Sequence, residues 1–272
     1  MAAAGSQAEP PPRSASDSRP FAAPAAGKSS QMPSSIANQT VAQLGGERSV
    51  FARQRRDHED LDELLGQLNR SGGQAQDRAI ARVCRLVFTH AFAEESVLWP
   101  VLRRELPDGE ELTLQVEREH QERTEVFAAL ERSRRDSPER DELIERATDL
   151  LREDVRDEED ELFPRLQEVL SDQQLRRLGA QWALVSQIAP TRTHPVVARR
   201  PPGNVIAALP LSAVDRTRDV LDDAARRAPE PVAAWGRRAS GALASLAGAV
   251  EWLPPMRRGE DPSTRAGRTE LE

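Results

Sequence analysis

The chain has 272 residues, 31% of them charged, with 45 Asp+Glu against 38 Lys+Arg and a formal net charge of -7. A broad basic face for nucleic acid is therefore not expected, and with no uninterrupted apolar run of about 18 residues neither is a membrane span. The single cysteine, Cys84, excludes an internal disulfide and suits a reducing compartment.

Residues 1–46 hold six prolines among many Ala and Ser, a composition that buries too little apolar surface to offset chain entropy. Disorder is expected there. Pro, Ser and charges break up the first thirty residues, so no export signal is read and the cytoplasm is the expected compartment. Between residues 47 and 188 the composition changes to 33 acidic residues against 22 arginines, a net of -11, with four prolines. The acidity belongs to this segment, whose Leu, Ala, Glu and Arg follow helical spacing with no useful strand-like alternation. Ser71-Gly72-Gly73, Pro107-Asp108-Gly109 and Ser137-Pro138-Glu139 divide it into helices over roughly 47–70, 74–106, 109–135 and 138–170. Ser171 with Gln174 reads as a capping box opening a shorter fifth helix through Trp182 and Val185. Short connections make neighbours antiparallel, so the expected fold is all-α: an up-down-up-down four-helix bundle over 47–188 with a C-terminal helical tail.

Steps of three and four along each helix pick out an inward stripe that polar groups interrupt. The first stripe is Phe51, Gln54, His58, Leu61, Leu65, Leu68. The second is Val83, Val87, His90, Glu94, Leu98, Val101. The third is Val116, His120, Phe127, Leu130, with Arg123 or Thr124 between, and the fourth is Leu143, Ala147, Leu150, Asp154, Glu158, Leu162, Leu166. Buried carboxylates without partners cost several kcal/mol each in effective terms, and a bound cation compensates them directly. Successive spacings of 32, 30 and 34 residues bring His58, His90, Glu94, His120, Asp154 and Glu158 to one level of an antiparallel bundle. His90 with Glu94, and Asp154 with Glu158, are i, i+4 pairs on one helix face each. HAFAEESVLWP at 90–100 aligns with DVRDEEDELFP at 154–164 without a gap, so the two helix pairs read as pseudo-repeats. Pro100 and Pro164 should bend both helices just past the candidate ligands.

The motifs RDHEDLDELL with His58, THAFAEESVLWP with His90 and Glu94, EREHQERTEVF with His120 and REDVRDEEDELFP with Glu158 resemble the hemerythrin-like, or HHE cation-binding, family over about residues 47–188. Where that family usually has a fourth-helix histidine, this chain has Asp154. The resemblance implies a non-haem di-iron centre bridged by Glu94 and Glu158, with His58, His90 and His120 as terminal ligands. Asp154 would be a substitute ligand or the holder of a water, and one iron is implied if it fails to ligate. Mixed imidazole and carboxylate donors suit iron or manganese. The implied function is reversible binding or sensing of dioxygen, nitric oxide or peroxide. Iron storage or donation for metal-centre repair, and a metal-free interaction module, are the alternatives. No nucleophile elbow or phosphate loop points to hydrolysis.

Alone, a histidine on an apolar stripe reads as a hydrogen-bonded core residue; six polar groups at matched height do not. Glu95, Glu159, Asp157, Asp160 and Glu161 read as a solvated face, with Glu95 and Glu159 as the alternatives that would orient a histidine. Cys84 reads as a small buried hydrophobe, and Trp99 and Phe163 as packing around the site. Residues 189–211 read as a Pro-rich linker, in which His194 is a surface residue and Arg192, Arg199 and Arg200 form a basic cluster that docks on the acidic bundle in the simplest case. Residues 212–253 read as a helical tail open to a protein partner, and 254–272 as disordered.

Overall fold

Ser49 starts the first helix, α1 (Val50–Asn69), by accepting the Ala52 N–H at 3.1 Å, which satisfies one free donor of the first turn. In the computed structural model, which describes residues 34–135 and 137–265, every regular element is helical. Helices α2 (Gly73–Ala93), α4 (Gly109–Arg132), α5 (Pro138–Asp157) and α7 (Asp172–Ile188) fill the segment whose periodicity predicts them. Ser137 caps α5 with Pro138 in its first turn, and Ser171 and Gln174 close a capping box on α7. Helix α1 packs on α2, α4 on α5, and α7 on both α1 and α2. The fold is all-α.

The two helices expected to bend contain matched π-helical turns, Glu94–Leu98 and Glu158–Leu162, which lead into α3 (Trp99–Glu105) and α6 (Phe163–Val169). The Trp99 N–H bonds the Glu94 carbonyl and the Phe163 N–H bonds the Glu158 carbonyl, five residues back in each case. Pro100 and Pro164 have no N–H, and in an α-turn their rings would strike the carbonyl four residues back; the wider turn accommodates them.

Buried apolar residues form two clusters along the bundle. One gathers Phe51, Leu98, Trp99, Leu102, Phe163 and Leu166, and the other Leu65, Val83, Val87, Phe127, Leu130 and Leu151. Along α1, α2–α3, α4 and α5–α6 the chain passes from one cluster to the other through the polar positions of the stripe, so these positions make a buried layer between two dry ones.

Residues 1–33 and 266–272 lie outside the described residues, but the neighbouring stretches depart from the expectation of disorder. A 3-10 turn at Ile36–Asn38 places Ile36 and, further on, Leu44 fully inside the first cluster. The Gln39 amide donates to Gln167 at 2.9 Å, and Gln167 donates to the Gln43 carbonyl at 2.8 Å. Two apolar anchors therefore hold a segment whose average composition reads as unfolded. At the other end, 3-10 turns at Pro254–Arg257 and Pro262–Thr264 pack back on the chain, with Met256 buried beside Leu211.

The linker is also shorter than its prolines suggest. Helix α8 (Gly203–Arg227) begins well before 212 and carries Pro210 inside it, and α9 (Val232–Glu251) packs along it. An internal proline costs a helix about 3 kcal/mol, but Ala207, Ala208 and Leu211 around it are all within 1% of full burial, and that burial offsets the cost. A Cβ on Gly203 would sit 2.5 Å from the Arg258 carbonyl, so only glycine lets the start of α8 close against 256–258.

His194, expected at the surface, is instead buried, with its imidazole between Asp215 of α8 at 2.9 Å and Glu251 of α9 at 2.8 Å. Arg192 lies beside Asp215 and is the other charge near this clasp. Burial disfavours the imidazolium, but the two carboxylates outweigh it and lift His194 from 6.5 to about 9. A histidine whose folded pKa is raised stabilises fully below its unfolded value, and that stabilisation is lost as pH rises through the folded value. The contribution of His194 to stability should therefore fall by about 3 kcal/mol between about pH 6 and about pH 9.5. Urea unfolding midpoints at the two pH values check this, and His194→Gln should remove that part of the slope.

Candidate metal centre

The α1, α2, α4 and α5 stripes carry His58, His90 with Glu94, His120, and Asp154 with Glu158 into the polar layer. All are buried except His90, whose side chain is 11% exposed. His58 Nε2 lies 3.3 Å from His90 Nε2 and 3.4 Å from Glu158 Oε2. His90 Nε2 lies 3.2 Å from Glu94 Oε1, and His120 Nε2 lies 3.7 Å from both Glu94 Oε2 and Asp154 Oδ1. Two triads therefore stand close enough to share an ion each, His58–His90–Glu158 and Glu94–His120–Glu158, with Glu158 common to both.

Several of the converging atoms have no hydrogen-bond partner: Glu94 Oε2, His120 Nε2, Asp154 Oδ1 and both oxygens of Glu158. Buried polar atoms are ordinarily paired, so a cluster of acceptors and lone pairs aimed at one space fits a cation and fits nothing apolar. The electrostatics agree. Burial, then Glu94 and Asp154, holds the Glu158 carboxyl well above the ordinary carboxylate range. Burial, then Arg123 and Arg199, keeps His120 well below its usual value and hence neutral, the form that ligates. Burial opposes charge on His90, yet Glu94 and Asp57 outweigh it and lift the imidazole to about 10. The protein thus keeps protons where a cation would replace them.

Asp154 differs from the others. One of its oxygens is held by Arg123, a buried guanidinium on α4 one turn beyond His120, and Asp154 is absent from both triads. Burial raises its pKa and Arg123 pulls against that. The position that departs from the family pattern is an internal ion pair.

Each histidine presents Nε2 to the interior because a carboxylate holds its Nδ1: Glu159 holds His58 at 2.9 Å, Asp57 holds His90 at 3.2 Å and Glu95 holds His120 at 2.9 Å. Such partners fix the ring and raise its basicity as a ligand. Gln54, on the predicted stripe, donates to Glu94 Oε1 at 2.8 Å. Glu95 and Glu159 are thus not a solvated face: the π-turns, with more residues per turn, rotate less at each step and bring consecutive glutamates inward. Asp57 was marked only by preceding His58. Aromatic rings wall the imidazoles, Phe163 on His58, Trp182 on His90 and Trp99 on His120. Cys84 is half-buried on α2, its thiol pushed up to about 12 by burial and Glu131.

Residues 49–166 match the family described as hemerythrin HHE cation binding domain. An uncharacterized hemerythrin-like protein of Schizosaccharomyces pombe is 25% identical over 138 residues, a span that covers 49% of this chain and 66% of that protein. No solved structure matches the chain.

Proposed function

We propose, from the match of residues 49–166 to the hemerythrin HHE cation binding domain, that the chain is a non-haem iron protein that reversibly binds or senses dioxygen, nitric oxide or peroxide in the cytoplasm. The observation that carries this is the set of partnerless donor atoms on Glu94, His120, Asp154 and Glu158, which face one another across a buried layer. Iron bound there would supply redox chemistry toward a small ligand. His58, His90 and Glu158 would hold a cation, as would Glu94, His120 and Glu158. The carboxylates of Asp57, Glu95 and Glu159 keep the three imidazoles oriented. The Phe163, Trp182 and Trp99 walls exclude bulk water, which strengthens every charge interaction within. A cavity of about 80 Å³ between α4 and α5–α6, lined by Val116, Glu119 and Glu161, reaches Asp154 and Glu158. One water needs about 10–15 Å³ of such space, so this cavity has room for a diatomic molecule or peroxide. Among the described residues no helix is long and apolar enough to cross a membrane.

Protein purified under low oxygen and loaded with ferrous iron should hold iron stoichiometrically and develop near-ultraviolet charge-transfer bands on admission of air. Elemental analysis with optical spectra before and after air checks both. No iron after reconstitution would overturn the proposal.

A further inference from the structure

We propose that Arg199, which lies outside the matched domain, is a positioning residue of the metal centre: its guanidinium holds the Glu95 carboxylate on His120, so that the C-terminal segment completes the site. This deepens the iron-binding reading and rests on it.

The three carboxylates behind the histidines differ in their access to water. The Asp57 side chain is 30% exposed and that of Glu159 13%, whereas that of Glu95 is 4% exposed. Water reaches the first two; Glu95 is closed off from it, where a cation from the protein favours the carboxylate. Arg199 provides it. Its Nη1 lies 3.5 Å from Glu95 Oε1, the same oxygen that meets His120 Nδ1 at 2.9 Å. The guanidinium is itself fixed, donating to Gln121 Oε1 at 2.9 Å and to Thr124 Oγ1 at 2.6 Å. Thr124 in turn donates to the His120 carbonyl at 2.7 Å. Guanidinium, carboxylate and the helix that carries the ligand form one connected set.

The surrounding chain is arranged around this contact. Asn204, in the first turn of α8, donates to the Arg199 carbonyl at 3.2 Å and to Ser96 Oγ at 3.4 Å. Ser96 belongs to the π-turn that carries Glu95 inward, so the segment touches both the carboxylate and the turn that aims it. Arg200, the next residue, secures the same segment through Glu117 at 2.7 Å and Glu110 at 2.5 Å. Among the described residues it makes no hydrogen bond or ion pair with Glu95, so it serves as a control for docking of the segment.

The test uses the full chain with Arg199→Met, Arg199→Lys and Arg200→Met, each confirmed as folded by circular dichroism. Affinity for ferrous iron is read anaerobically by chelator competition, and the state of the His120 ring is read in metal-free protein by imidazole nitrogen NMR. Losing an outer partner of a ligand costs about tenfold to 100-fold in metal affinity. Arg199→Met should show that loss together with an altered His120 spectrum, Arg199→Lys should recover part of it, and Glu95→Gln added to Arg199→Met should cost nothing further. Arg200→Met should leave both readings near wild type. Unchanged affinity and an unchanged His120 spectrum in Arg199→Met would overturn the proposal, as would equal losses in Arg199→Met and Arg200→Met. If the wild type takes up no iron, the proposed function falls separately. The His120 spectrum of metal-free Arg199→Met then decides by itself whether the guanidinium positions the ring.

Discussion

Glu158→Gln should abolish tight metal uptake while leaving the metal-free fold at least as stable as the wild type. Glu158 is shared by both donor triads, so its loss opens both at once. The expected fall in ferrous affinity exceeds the about 100-fold upper range for loss of an outer partner, and Glu159→Gln, which removes such a partner from His58, should stay within that range. The stability side follows from the same atoms. Both Glu158 oxygens are buried without a hydrogen-bond partner, and an unpartnered buried carboxyl costs the fold rather than supports it. That carboxyl already keeps its proton, so a Gln amide of nearly the same shape carries no greater cost. Chelator competition and urea unfolding of metal-free protein test the two halves independently. A variant that is markedly less stable yet still binds iron normally would show Glu158 to be a structural residue.

The second large effect concerns the Arg123–Asp154 pair. Removing one partner of a buried ion pair strands the other and costs about 3–5 kcal/mol. With side chains 5% and 9% exposed, this pair belongs to that class. Arg123→Leu alone should destabilise the metal-free protein by that amount, a fall in melting temperature of about 10 °C. Asp154→His alone should do the same, although it restores the residue usual in the family, because it leaves the guanidinium buried and unpaired. The double variant should recover most of the loss, since an apolar residue and a neutral imidazole strand no charge. Thermal melts of the four proteins after chelator treatment make the cycle, and losses that simply add would show that the two residues are independent.

Much of this was legible in the sequence because helical periodicity is a local property. The stripe residues, the caps at Ser137 and Ser171 and the candidate donors all follow from spacing within one helix, and the structure draws those donors together. What spacing hides is the partner a side chain finds on another element. Arg123 stands on the third stripe, but that it faces Asp154 depends on how α4 and α5 pack. Glu95 reads as outward on a regular helix and turns inward because the helix is not regular there. His194 and Ile36 sit in proline-rich surroundings whose average character is that of a linker, and each is ordered by a few long-range contacts that composition does not register.

The paired π-turns impose a constraint on the two halves of the bundle. An α-helix turns about 100° per residue, so a turn closed five residues back leaves the chain beyond it out of phase by roughly that angle. Because the step occurs at the same height in both long helices, Leu98 and Trp99 on one side and Leu162 and Phe163 on the other all remain buried. A chain that kept one step and lost the other would rotate half of one helix away from its counterpart and bring apolar surface into water. Each step is therefore held in place by the apolar residues that follow it on its own helix.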